Sequence, residues 1–329
     1  MTRALAVTSA KYVLGLSLLA YVIAQNWSPR DGSPGLSEAF GRPVNFVALA
    51  LAALFSALSV TTTFVRWFGL VRAQELPFTL RDACRLGMAA YFFNTVLPGS
   101  IGGDIVKAVG LAREQSRRTV AVATVVFDRL IGLWGLIWLV SILGAIFTLL
   151  DTDTLRDNAG LRALVRTTWA VLGVTVLAWL ACGLLSAERA NRWADRLARR
   201  SRLGLSLSEA WRAVWMYRSK PRAVAAAVGL SFVSQILYVL AFHWAARVFS
   251  GDADMPTLAE HALVVPPGMV VQAVFPSPGG VGGGEFGFGK LYELLGRPGS
   301  LGVLGSLAMR MISWGLGSVG YFIYIRMKR

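Results

Sequence analysis

Six apolar stretches, at about 4–24, 44–64, 119–150, 169–185, 223–249 and 301–325, each run for about 17 residues or more. A helix rising 1.5 Å per residue crosses about 30 Å of hydrocarbon in a run of that length. Charged residues make up only 16% of the 329 positions and apolar residues 55%, against about 25% charged in a typical soluble domain. These figures exclude disorder, collagen, a coiled coil and a disulfide scaffold. The chain reads as an all-α polytopic membrane protein.

The net charge of +15 is an orientation signal before it is anything else. Lys and Arg concentrate in the N-terminus, in 65–118, in 186–222 and in the C-terminal tail, 23 in all, against five in 25–43, 151–168 and 250–260. Positive residues collect on the cytoplasmic side, so both termini are expected inside. Nucleic acid is excluded as a partner, and anionic headgroups are a natural contact for the basic face. The first apolar run is expected to be a retained anchor, not a cleaved signal. Cys84 and Cys182 offer neither a disulfide framework nor a metal quartet. The longest polar stretch, 186–222, has 37 residues, too few for a soluble catalytic domain. Its alternation of Arg with Leu, Ala and Trp predicts one or two amphipathic helices on the inner leaflet.

Two further apolar segments are too interrupted to be ordinary spans. In 86–111 the interruption is Pro98, Gly99, Gly102 and Gly103, followed by Asp104 and Lys107. In 262–295 it is Pro276, Pro278, Gly279, Gly280 and Gly282, followed by Glu285. About 12 apolar residues lie on each side of either cluster, half a membrane thickness. That pattern predicts two re-entrant helical hairpins, one entering from the cytoplasm and one from outside, although two pairs of thin spans would also close the topology.

The two segments resemble each other. Asn94 to Pro98 aligns with Gln272 to Pro276 at an offset of 178, and Gly102-Gly103-Asp104 aligns with Gly283-Gly284-Glu285 at 181. The same 181 carries Arg129 onto Arg310, so each acid is followed by an Arg 25 residues later. Residues 1–150 then form a first membrane repeat and 151–329 a second, inverted one. Six spans plus two hairpins, eight segments, give the plan of a secondary transporter with broken helices meeting near the midplane.

Asp104, Lys107, Asp128, Arg129, Glu285 and Arg310 lie within or close to apolar sequence, where an unpaired charge costs at least about 2.5–3.5 kcal/mol. Pairing of Asp104 with Arg129 and of Glu285 with Arg310 is expected, with cross-pairing equally open. Either these pairs only orient helices, or they handle cargo. In the second case Arg129, Arg310 and Lys107 offset a phosphate, and Asn94 and Gln272 add uncharged hydrogen bonds. Asp104, Glu285 and Asp128 then hold the cations or titrate in coupling. The match to GxGxxG at Gly282, Gly284 and Gly287 lacks the preceding strand that gives it meaning. His243 and His261 have no partner at ligand spacing, so no metal and no cofactor are expected. Trp27, Trp67, Trp134, Trp138, Trp169 and Trp244 are expected as interfacial anchors.

Asn94-x-x-Leu97-Pro98-Gly99-x-x-Gly102-Gly103-Asp104-x-x-Lys107, the pair Asp128-Arg129, and Pro276-x-Pro278-Gly279-Gly280-x-Gly282-x-x-Glu285 together resemble the lysylphosphatidylglycerol synthase transmembrane region, also described as flippase-like integral membrane proteins. The resemblance covers nearly the whole chain. Bifunctional members add a cytosolic aminoacyl-transferase domain that this sequence lacks, so lipid aminoacylation is not expected of it. The resemblance implies translocation of a phospholipid, or of a related anionic, aminoacylated or glycan-linked lipid, between leaflets of a bacterial inner membrane. The rival readings are a membrane-embedded transferase acting on a lipid phosphate and an ion-coupled transporter of a small solute. A partner lipid-modifying enzyme and a homo-oligomer are left open.

Overall fold

The computed structural model describes residues 2–29, 35–97, 102–150, 158–184, 186–199, 202–249 and 255–327. Among them the fold is helical, with no strand. In chain order the helices are α1 (Thr2–Asn26), α2 (Leu36–Phe40), α3 (Phe46–Ala73), α4 (Leu80–Val96), α5 (Gly102–Glu114), α6 (Arg118–Leu149) and α7 (Ala159–Leu184). They continue as α8 (Ala187–Ala198), α9 (Arg202–Tyr217), α10 (Pro221–Ala245), α11 (Leu258–Val274), α12 (Gly283–Leu294) and α13 (Gly299–Met327).

Five helices are long and apolar enough to cross a membrane: α1, α3, α6, α7 and α10. The chain is therefore a multi-pass helical membrane protein. The sixth expected span, 301–325, does form one continuous helix of 29 residues, α13. It falls outside that set because glycines and Arg310 dilute its apolar side chains. The segment 151–168, expected as an outer loop, is shorter than that: α7 begins at Ala159 and carries Arg162 and Arg166. The amphipathic stretch resolves into α8 and α9. Instead of only lying on lipid, α9 docks on α6 and α10. There Tyr217 stacks on Phe127 at 4.0 Å and donates to Leu70 O at 2.8 Å. Burial, then the nearby Asp128 charge, hold this phenol above its ordinary pKa, so it stays a donor.

Both segments expected to break do so between helices of matching length. α4 and α11 have 17 residues each. Each starts on a threonine cap: Thr79 Oγ1 accepts from Asp82 N, and Thr257 Oγ1 accepts from Glu260 N, both at 3.2 Å. Such caps satisfy amides that the first helical turn leaves without partners. Pro266 and Pro267 lie inside α11 without ending it.

The longest packing seam joins α3 to α10, which run antiparallel. Asn45 N donates to Val248 O at 2.9 Å at one end, and Lys220 meets Glu75 at 3.2 Å at the other. Between them Ser59 Oγ donates to Ser234 O at 2.8 Å, while Ser234 Oγ donates to Ser59 O at 3.2 Å. Around this seam contacts come in matched pairs. α4 packs on α13 and α11 on α6; α4 meets α5 and α11 meets α12; α5 meets α6 and α12 meets α13.

The main core cluster gathers Phe242, Ala245, Phe288, Tyr292, Val303 and Leu304 around the seam. Trp67 is not an interfacial anchor: it is fully buried, edge-on to Phe78 at 5.0 Å. Trp134 and Trp169 instead tie α6 to α7, through Thr175 Oγ1 at 3.0 Å and Ser141 O at 2.9 Å. Where α13 crosses α4 the backbones touch, because a Cβ at Gly320 would overlap the carbonyl of Met88. Gly320→Val is therefore expected to lose about 1–3 kcal/mol through overpacking, read as a lowered unfolding midpoint in detergent.

Candidate functional site

The second break spans 275–282. α11 stops as the Phe275 amide bonds Val271 O at 3.1 Å, and Pro276 has no N–H with which to continue. Gly279, Gly280 and Gly282 take φ of 56°, 69° and 82°, the left-handed region that side chains disfavour. Space requires glycine at two of them as well. A Cβ at Gly280 would overlap Gln272 O, and one at Gly282 would press on Gly15 O.

This turn is buried, so its backbone groups need partners. Glu285 and Arg310 supply them. Glu285 Oε2 accepts from Gly282 N at 2.8 Å, and Oε1 accepts from Arg310 Nε at 2.6 Å. Arg310 extends Nη1 to Gly279 O at 3.2 Å and Nη2 to Gly280 O at 3.4 Å. Glu285 is 0% and Arg310 6% exposed. One ion pair thereby closes both sides of the turn.

In the first break, Pro98 and Gly99 lie outside the described residues. On its flanks, Leu97 N bonds Phe93 O at 2.8 Å and Asn94 Oδ1 accepts from Gly103 N at 2.7 Å. Gly103 sits against the carbonyl of Ala90, and Gly102 against Leu97. Arg129 donates to Asp104, joining α6 to α5. Lys107 is buried, 3.7 Å from Asp128 Oδ2 and 4.9 Å from the centre of the Trp67 ring. Asp128 Oδ1 accepts from Arg66 Nε at 2.7 Å, and Arg66 Nη1 reaches Ser231 Oγ at 2.9 Å. Arg66, which the sequence places among the loop cations of 65–118, is a buried charge inside α3.

The α4 flank of the first break meets the second break. Gly279 packs against the backbone of Thr95 in the last turn of α4. α1 touches both, with Tyr12 OH donating to Val96 O at 2.6 Å and Gly15 lying against Ser277 and Gly282. At this junction is a cavity of about 250 Å³ lined by Tyr91, Asn94, Tyr238, Gln272, Ser306 and Arg310, among others. Three expected site residues, Asn94, Gln272 and Arg310, thus share one cavity. Arg129, Lys107, Asp104 and Asp128 are not among its lining residues. Tyr91, Tyr238 and Ser306 carried no signal in sequence, because nothing local marks a hydroxyl that tertiary packing brings to a cavity.

His243 and His261, expected without partners, lie with their Nδ1 atoms 3.0 Å apart, and Tyr292 meets His261 Nε2. Among the described residues no three His, Cys, Asp or Glu side chains gather as a metal site.

Removing one member of a buried pair strands the other, at about 3–5 kcal/mol. Glu285→Ala is expected to show a loss of that order in detergent unfolding. Gly280→Ala should lose about 1–3 kcal/mol through overpacking, with the strain of a positive φ in addition.

The sequence profile described as "Lysylphosphatidylglycerol synthase TM region" matches residues 10–320. No curated protein and no solved structure matches the chain. With almost its whole length matched, the chain belongs to the lysylphosphatidylglycerol synthase TM region family.

Proposed function

We propose that this protein moves a phospholipid, or a related anionic lipid, between the leaflets of a bacterial inner membrane. The observation that carries the reading is the cavity at the junction of the two breaks. It takes Asn94 from one broken segment and Gln272 from the other, with Arg310 as its cation. Arg310 commits three of its five N–H groups to Glu285, Gly279 and Gly280, which leaves two donors for a phosphate. Membership of a lipid-linked family fits this use.

An inverted repeat is the architecture this reading uses, with α3–α6 related to α10–α13. Its support is the antiparallel seam with reciprocal Ser59 and Ser234 bonds, the paired contacts and the matched threonine caps. The ion pairs Asp104–Arg129 and Glu285–Arg310 also recur at one spacing. In this arrangement α4–α5 and α11–α12 are hairpins entering from opposite faces, and both termini are cytoplasmic. Asp104–Arg129 and Asp128 with Arg66 and Lys107 hold α5 against α6 and α3, while Arg310, Asn94 and Gln272 meet the cargo. The carboxylates Asp104, Asp128 and Glu285 each face a cation, an arrangement that favours transport over a transferase needing a free base.

The test is exchange of labelled phospholipids between leaflets of proteoliposomes. Wild type is expected to accelerate exchange. Ser313→Phe, which fills the cavity without touching the ion pair, is expected to abolish it at unchanged thermal stability. A cavity-filled protein that still exchanges lipid at the wild-type rate overturns the reading.

A further inference from the structure

Resting on the translocation reading, we infer that the cargo headgroup is a phosphodiester carrying a neutral, hydroxyl-bearing group, such as a glycerol or a sugar, and not a cationic amino group. The charge of the cavity wall is the first argument. Among the described lining residues Arg310 is the sole ionisable group at neutral pH, and no carboxylate faces the space. The nearest carboxylate, Glu285, is fully buried, with Oε2 taken by Gly282 N and Oε1 by Arg310 and Ser306. An ammonium entering here meets the guanidinium side of the Arg310–Glu285 pair and no carboxylate facing it, whereas a phosphate meets the guanidinium donors.

The second argument is the hydrogen-bonding inventory. Asn94 uses its Oδ1 on Gly103 N, leaving two amide N–H donors. Gln272 uses Nε2 on Gly279 O, leaving its carbonyl as an acceptor. The hydroxyls of Tyr91 and Ser313 hydrogen-bond each other, and these two and that of Tyr238 can each act in either sense. Donors and acceptors intermixed in this way match hydroxyl groups, which also do both. At about 30 Å³ per water-sized group, 250 Å³ holds about eight such groups. That is the scale of a phosphate with one small polyol. The competing occupant is an ammonium held on the rings of Tyr91, Tyr238 and Trp314, and it predicts the opposite selectivity.

Exchange of phosphatidylglycerol and phosphatidylinositol is to be compared with that of phosphatidylethanolamine and lysyl-phosphatidylglycerol in the same proteoliposomes. The two neutral-polyol lipids are expected to move at least about tenfold faster than the lysyl lipid. Asn94→Asp keeps the acceptor for Gly103 N at the start of α5, where a negative charge is well placed, and adds a carboxylate to the wall. This variant should narrow that ratio or reverse it. Should it fail to fold, the wild-type ratio alone decides. Wild type moving the lysyl lipid as fast as phosphatidylglycerol overturns the inference and leaves the translocation reading standing. Folded protein that moves none of the four lipids overturns the translocation reading. In that case uptake of water-soluble glycerophosphoglycerol would retain the headgroup chemistry with a solute as its source, and no uptake would overturn both.

Discussion

Backbone that leaves the helix inside a membrane protein must find hydrogen bonds within the protein, since hydrocarbon offers none. In this chain one ion pair meets that requirement at the second break. Glu285 accepts from the Gly282 amide and Arg310 donates to the carbonyls of Gly279 and Gly280, so the charges of the pair are compensated by the turn they hold. The glycines permit the turn; the pair makes it stable when buried. Gln272, pressed against Gly280, and Phe275, pressed against Gly283, are fixed in turn by that geometry. The cavity exists because the turn stands where it does.

In the repeat proposed above, the two halves differ in how they are filled. At the offset of 181 Lys107 falls on Phe288 and Asp128 on Met309, and at the 175 that pairs Ser59 with Ser234, Arg66 falls on Ala241. Where the first half buries two cations around one carboxylate, the second packs Phe288 face to face with Phe242 at 4.3 Å. Beyond the ion pair that each half carries, α5 thus adds a second charged contact where α12 adds an apolar one. A charged cluster is directional and demands full satisfaction, whereas stacked rings tolerate small shifts. The cavity lies on the apolar side of this difference.

Much of this was legible because helix geometry and breaker chemistry are local. The Pro and Gly clusters mark where α4 and α11 end, and the 25-residue spacing brings Asp104 to Arg129 and Glu285 to Arg310. Other features depend on partners far away in sequence. Arg66 ends the second apolar run and so reads as a loop cation; its acceptor, Asp128, stands 62 residues on. Lys107 has its neighbours, that same carboxylate and the Trp67 ring, on other helices, and its own segment does not announce them. Trp67 itself looks like a boundary residue because α3 continues beyond the point where hydropathy falls. His243 and His261 are 18 residues apart on separate helices, and only the packing of α11 on α10 brings them together.

α1 is sparsely packed, yet it touches both breaks within a single turn, at Tyr12 and Gly15. Those residues stand near the middle of a 25-residue helix, with about 15 to 20 Å of helical rise on either side at 1.5 Å per residue. Seen from α1, the junction is nearly equidistant from the two ends of the bundle. A molecule held there gains no advantage of path length in leaving by one end over the other. If the junction carries lipid as proposed, net flow through it follows the supply and removal of that lipid at the two surfaces.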